Sequence, residues 1–254
     1  MLRHLRDHLV YYPMPYPQGD WDLQAQVGAH DLWFTARDGI RLNAWWFPEP
    51  DSHFVTLFLH GNAGNVTHRI DHAHAIKSAG SGVLILDYRG YGKSKGRPSE
   101  RGLQLDADAA YDAVLQLGYG SSAVLIHAES LGTAIAVDLA ARRPCAGVIL
   151  ESPFASLSEM AATVVPIVGP LLVTGFKTKM MIKRVRAPLL VLHGDADEIV
   201  PFSQGQAVFA AANQPKDFWQ VRGAHHNDLL SVAGDEYVPR LRAFYNSFLA
   251  HETR

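Results

Sequence analysis

A single cysteine, Cys145, occurs in 254 residues, so no internal disulfide framework holds this chain and a packed core must do so. An excess of charge of one sign is also missing. Lys and Arg total 23 against 25 Asp and Glu, a formal net charge of −2. There is then no basic field to gather nucleic acid and no acidic tail. Long apolar runs are absent as well. Met160 to Phe176, among the longest uncharged stretches, is interrupted by Pro166, Gly169, Pro170 and Gly175, and it is too short and too broken for a membrane span. The opening MLRHLRDHLVYYPMPYP is basic but lacks the apolar run of a secretory signal. The expectation is a soluble, cytoplasmic protein with no nucleic-acid partner.

What is present is punctuated, apolar and periodic. After a lead rich in proline (Pro13, Pro15, Pro17), two strand-like runs flank Arg37-Asp38-Gly39, and Asp-Gly between such runs signals a hairpin. FVTLFLH (54–60), GVLILDY (82–88), AVLIHA (123–128), GVILE (147–151) and PLLVLHG (188–194) then alternate with helical segments near 66–79, 99–117, 130–142 and 202–212. DFWQV (217–221) and a helix over 235–250 complete the series. Continuous apolar runs alternating with helices predict an α/β fold, a mostly parallel central sheet with helices on both faces and an antiparallel N-terminal hairpin. The expected organisation is a lead segment over 1–27 and one domain over 28–254. The stretch 152–183 is longer than an ordinary connection, and a small cap insertion is expected there.

Ala128-Glu129-Ser130-Leu131-Gly132 lies between an apolar strand and an amphipathic helix, the setting of a nucleophile elbow. A serine hydroxyl needs a base to accept its proton, and that base needs a carboxylate to fix its tautomer. Such groups follow in the order serine, acid, histidine, each at a strand end. Asp195, Asp197 and Glu198 occupy the loop after PLLVL, and His225 and His226 occupy the loop after DFWQV. Glu151, closing GVILE, reads as a structural residue that anchors Ser152-Pro153 at the strand end. Acyl transfer also needs two N–H donors for the developing oxyanion. One is expected from the amide of Leu131 at the helix start, the other from the His60-Gly61-Asn62-Ala63-Gly64-Asn65 loop, with Asn62 first and Ala63 second.

HGNAGN, DYRGYGKS, PSERGLQLDADAA, AESLG, ESPF, HGDADEIVP and HHND together resemble one branch of the α/β-hydrolase superfamily. That branch holds bacterial serine hydrolases related to animal depalmitoylating enzymes and fungal bud-emergence-suppressor proteins. The likeness runs over about 28–250. It implies the α/β-hydrolase fold, Asp197 as the acid and His226 as the base, with His225 standing where such proteins often have glycine. Glu151 is the runner-up acid, because some relatives place the acid after that strand. Ala128 departs from the usual glycine of the elbow.

The expected activity is hydrolysis of small carboxylic esters through an acyl-enzyme on Ser130, with no cofactor or metal, and an apolar segment such as 164–176 over the site favours short to medium acyl chains. The alternatives are cleavage of acyl-protein thioesters, which the resemblance implies, and a non-catalytic interaction protein. A third, contact with a membrane surface, rests on Leu2, Leu5, Leu9, Val10 and Tyr12 interspersed with Arg3, His4 and Arg6. Several signals point elsewhere and fail. Gly90-Tyr91-Gly92-Lys93-Ser94 lacks the earlier glycine of a phosphate loop, and His68 and His72 share a helical face without an H-E-x-x-H pattern.

Overall fold

The computed structural model describes residues 10–164 and 174–252. β1 (Tyr12–Pro13) belongs to the lead. Asp38-Gly39, with Gly39 at φ 84°, turns β2 (His30–Thr35) into β3 (Arg41–Phe47). β4 (Phe54–Leu59), β5 (Ala63–Gly64), α1 (Ile70–Ala79), β6 (Ser81–Asp87), α2 (Glu100–Gln116), β7 (Val124–Glu129) and α3 (Leu131–Ala140) follow. Next come β8 (Gly147–Glu151), α4 (Leu157–Val164), α5 (Thr178–Met181), β9 (Leu189–Gly194), α6 (Phe202–Ala211), β10 (Lys216–Val221), α7 (Leu229–Ala233) and α8 (Tyr237–Glu252).

Among the described residues, eight strands form one sheet in the order β10-β9-β8-β7-β4-β6-β3-β2. β3 runs against both of its neighbours, and the remaining pairings are parallel. Every residue of β4, β6, β8 and β9 is buried, which is why these segments read as unbroken apolar runs. Alternate side chains serve opposite faces. Leu57, Leu86, Ile126 and Leu150 pack under α2 and α3, while Phe58, Ile85, Leu125 and Ile149 meet α1 and α8. The chain leaves β4 over one face towards β6 and leaves β7 over the other towards β8. That reversal between adjacent strands opens a crevice at their carboxyl ends.

Helix boundaries differ slightly from those the sequence predicts. A short 3-10 turn, Val66–His68, precedes α1 because the Asn65 side chain caps it, accepting from the Thr67 amide at 3.0 Å. Ser99 caps α2 by accepting from the Gly102 amide at 3.1 Å. Arg89 braces the turn after β6, pairing with Asp106 and Asp38 at 2.8 and 2.7 Å. Of the expected cap, α4 and α5 are described. Residues 165–173 lie outside the described residues, as do residues 1–9 with Leu2, Leu5 and Leu9. Among the described residues no helix is long and apolar enough to cross a membrane.

Candidate active site

Ser130 sits between β7 and α3 with φ 48° and ψ −119°, a left-handed conformation that costs a non-glycine residue on the order of 1–3 kcal/mol. The surroundings hold it there. Its amide donates to the Glu151 carbonyl at 2.9 Å, and its carbonyl accepts from the Thr133 amide and hydroxyl at 3.0 and 2.6 Å. So sharp a turn brings α3 against β4. A Cβ on Gly132 would lie 2.0 Å from the Leu59 carbonyl oxygen, so the position admits only glycine. Ala128 is completely buried in the core, and its single methyl group fits where the usual motif has glycine.

The loops after β9 and β10 bring two further groups to Ser130. His226 Nε2 is 2.9 Å from Ser130 Oγ, and His226 Nδ1 is 2.8 Å from Asp197 Oδ2. Asp197 Oδ1 accepts from the Ile199 and Val200 amides at 3.0 and 2.7 Å. Burial alone would raise the Asp197 carboxyl. Hydrogen bonds from His193 and His226 and the Val200 amide outweigh it and hold the group well below the usual carboxylate range. The competing side chains point elsewhere. Asp195 accepts from the Gly223 amide and the Gln220 side chain, and Glu198 pairs with His225 at 3.0 Å on the exposed surface. His193, buried, lies 2.9 Å from the Val200 carbonyl oxygen through Nε2 and fastens the acid loop from behind.

The HGNAGN loop closes the other side. Glu129 reaches across from the elbow and accepts from the Gly61 amide at 2.8 Å and from Arg69 Nε at 2.6 Å. A Cβ on Gly61 would stand 2.8 Å from that carboxylate, so loop and elbow approach as closely as glycine permits. Asn62 and Leu131 both border the cavity beside Ser130. The Leu131 amide is the first of its helix, where the chain offers no intrahelical acceptor. The Asn62 amide donates to no acceptor among the described residues.

Glu151 is tied to neighbours other than His226. Its carboxylate accepts from the Tyr237 hydroxyl, lies 2.6 Å from His127 Nε2 and 3.4 Å from His72 Nε2. Burial would raise this carboxyl, and the bonds and charges of His127 and His72 reverse that and lower it strongly. Burial would lower His72, and Glu151 and Glu129 raise it instead. Glu151 therefore contributes stability above the unfolded carboxyl value of about 4.3, lost as pH falls further. His72 contributes fully below the unfolded imidazole value of about 6.5, and this is lost as pH rises through its higher folded value. Denaturant midpoints measured across pH should be highest between those limits, and His72→Phe should flatten the alkaline slope. Glu151→Gln should cost about 3–5 kcal/mol, since it removes one partner of a buried ionic cluster. An unchanged midpoint would show that the cluster holds nothing together. Glu151 was weighed in the sequence as an acid and a strand-end anchor. His127 went unnoticed, although a lone histidine inside the apolar run AVLIHA was a visible signal.

His68 and His72 do not converge. The Asn65 amide donates to His68 Nδ1 at 3.3 Å, and His72 turns to Glu151. A cavity of about 980 Å³ opens in front of Ser130. Its lining combines the polar Arg69, His72, Glu129 and Glu151 with the apolar Phe154, Leu157, Met160, Ala161 and Leu230.

This strand order, with a serine in a strained turn at the crevice, is the architecture of the α/β-hydrolases. An esterase of Pyrococcus furiosus, Pf2001, superposes with a TM-score of 0.78 at 19% identity, covering 94% of this chain and 98% of that one. The chain belongs to the hydrolase family described as serine aminopeptidase, S33, whose model matches residues 50–181. An uncharacterized protein of Mycobacterium tuberculosis is 38% identical over 93% of this chain and 85% of its own length. Human alpha/beta hydrolase domain-containing protein 17C is 34% identical over 92% of this chain and 70% of its own. Protein bem46 of Schizosaccharomyces pombe is 31% identical over 92% and 84%.

Proposed function

We propose that this hydrolase cleaves carboxylic esters of short to medium acyl chain through an acyl-enzyme on Ser130. The observation that carries the reading is the unbroken relay from Asp197 through His226 to Ser130, with contacts of 2.8 and 2.9 Å. Ser130 Oγ attacks the carbonyl carbon as His226 Nε2 takes its proton, and Asp197 stabilises the imidazolium. The Asn62 and Leu131 amides donate to the tetrahedral oxyanion, aided by the positive end of α3. Collapse expels the alcohol, protonated by His226. Water then gives a proton to the same nitrogen, attacks the acyl carbonyl and releases the acid and Ser130. None of these steps calls on a cofactor or metal.

The apolar lining residues Phe154, Leu157, Met160, Ala161 and Leu230 support an acyl group as the recognised part of the substrate. Resemblance of HGNAGN, DYRGYG and the elbow to depalmitoylating enzymes extends the reading to thioesters. A panel of esters from acetyl to palmitoyl, with matching thioesters, tests both. Met160→Trp, which adds bulk at a lining residue, should raise KM for an octanoyl ester about tenfold and leave acetyl ester turnover unchanged. Equal effects on both would place the acyl group elsewhere. Membrane contact through the N-terminal segment would be read from vesicle co-sedimentation of intact chains and chains lacking residues 1–9.

A further inference from the structure

From residue 10 onward the lead segment crosses the HGNAGN loop. β1 pairs in parallel with β5, Tyr12 opposite Ala63 and Pro13 opposite Gly64. The Asn62 side chain grips the lead backbone from both ends, its Nδ2 donating to the Val10 carbonyl at 2.5 Å and its Oδ1 accepting from the Tyr12 amide at 3.2 Å. Beneath it, the Tyr91 hydroxyl donates to the Asn62 carbonyl and to Oδ1 at 2.9 and 3.1 Å. One residue pair further on, Asn65 Nδ2 donates to the Met14 and Gln18 carbonyls at 3.0 and 2.8 Å. Met14 and Tyr16 in turn bond Gly92 in the turn that carries Tyr91, at 3.0 and 2.8 Å.

We propose that the Asn62 side chain, the Tyr91 hydroxyl and the backbone of residues 10–14 form a clamp that aims the Asn62 amide at the oxyanion. The inference rests on the reading of Ser130 as nucleophile and Asn62 as one of the oxyanion donors. Its physical basis is that a loop donor is useful only if it is already aimed when charge develops. Misplacement by about 1 Å can cost on the order of 100-fold. The HGNAGN loop is short and glycine-rich, so its backbone supplies little stiffness of its own. Glu129 holds it at Gly61 from the elbow side, and the clamp holds the next residue from the opposite side. Burial raises the Tyr91 phenol, so it stays a protonated donor throughout the neutral range. The Asn62 side chain, Tyr91 and the lead backbone are positioning groups, since they act through the Asn62 amide.

The experiment compares kcat and KM of the full chain with those of Asn62→Ala, Tyr91→Phe and Ser130→Ala on one soluble ester. Asn62→Ala should lose on the order of 100-fold in kcat and Tyr91→Phe about tenfold, with KM held within about twofold. Fluorophosphonate labelling should slow in the same order. Should Asn62→Ala fail to fold, Tyr91→Phe, which removes one oxygen, still decides the matter. Wild-type kcat in Asn62→Ala and Tyr91→Phe, with Ser130→Ala inactive, rejects the clamp and leaves the nucleophile intact. The same rejection follows if both variants lose thermal stability and raise KM without lowering kcat. Turnover retained in Ser130→Ala rejects the reading beneath it.

Discussion

Ser130→Ala is expected to lower kcat for ester hydrolysis by about a million-fold while leaving KM nearly unchanged. The size follows from the relay acting as one unit. Without the hydroxyl, His226 and Asp197 have no proton to move, and only the amides and substrate binding contribute. A fluorophosphonate probe should label the wild-type protein on Ser130 and leave the variant unlabelled. His226→Ala should fall nearly as far, whereas His225→Ala should behave as wild type, because His225 lies at the surface on Glu198. Full turnover by folded Ser130→Ala would reject the nucleophile and leave a hydrolase fold awaiting another site.

Asp197→Asn should cost on the order of 10⁴ in kcat, by a route that the hydrogen bonds dictate. The Ile199 and Val200 amides both donate to Oδ1, so in the variant the amide oxygen must stay there. The NH₂ group then takes the place of Oδ2 and faces His226 Nδ1. It donates to that nitrogen, which moves the ring proton to Nε2, where it points at Ser130 and blocks proton acceptance. Geometry would survive and chemistry would not. Asp195→Asn and Glu198→Gln serve as comparisons. Their carboxylates bond Gly223, the His225 ring and the His226 backbone amide, and neither meets the His226 ring, so each should keep kcat within about tenfold. A large loss in either, with a mild effect in Asp197→Asn, would move the acid to another residue of the loop.

How far the sequence carries this site depends on what kind of interaction makes each part. FVTLFLH, GVLILDY and PLLVLHG announce their strands because residues buried on both faces must all be apolar, a local constraint. The elbow at Ser130 is legible for a similar reason, since one tight turn needs small neighbours in the same five residues. The choice among Asp195, Asp197 and Glu198 is different. All three are acidic residues in one loop, and no spacing rule separates them; resemblance to relatives favoured Asp197. In space they diverge, to Gly223, to His226 and to His225.

The lead segment and the Glu151 cluster lie further still from sequence reasoning. Residues 10–18 bond Asn62 and Asn65 about fifty positions away, through backbone groups that every residue carries alike. Glu151 draws His72, His127 and Tyr237 from three separate elements. Periodic burial leaves a pattern that can be read along one strand or helix, so the chain alone determined its α/β layers, its parallel sheet and its serine-bearing turn. Which carboxylate meets which imidazole, and that the proline-rich lead grips the glycine-rich loop, were decided only in the tertiary structure. Single polar contacts between distant segments have no period, and their directions exist only once the backbone is folded.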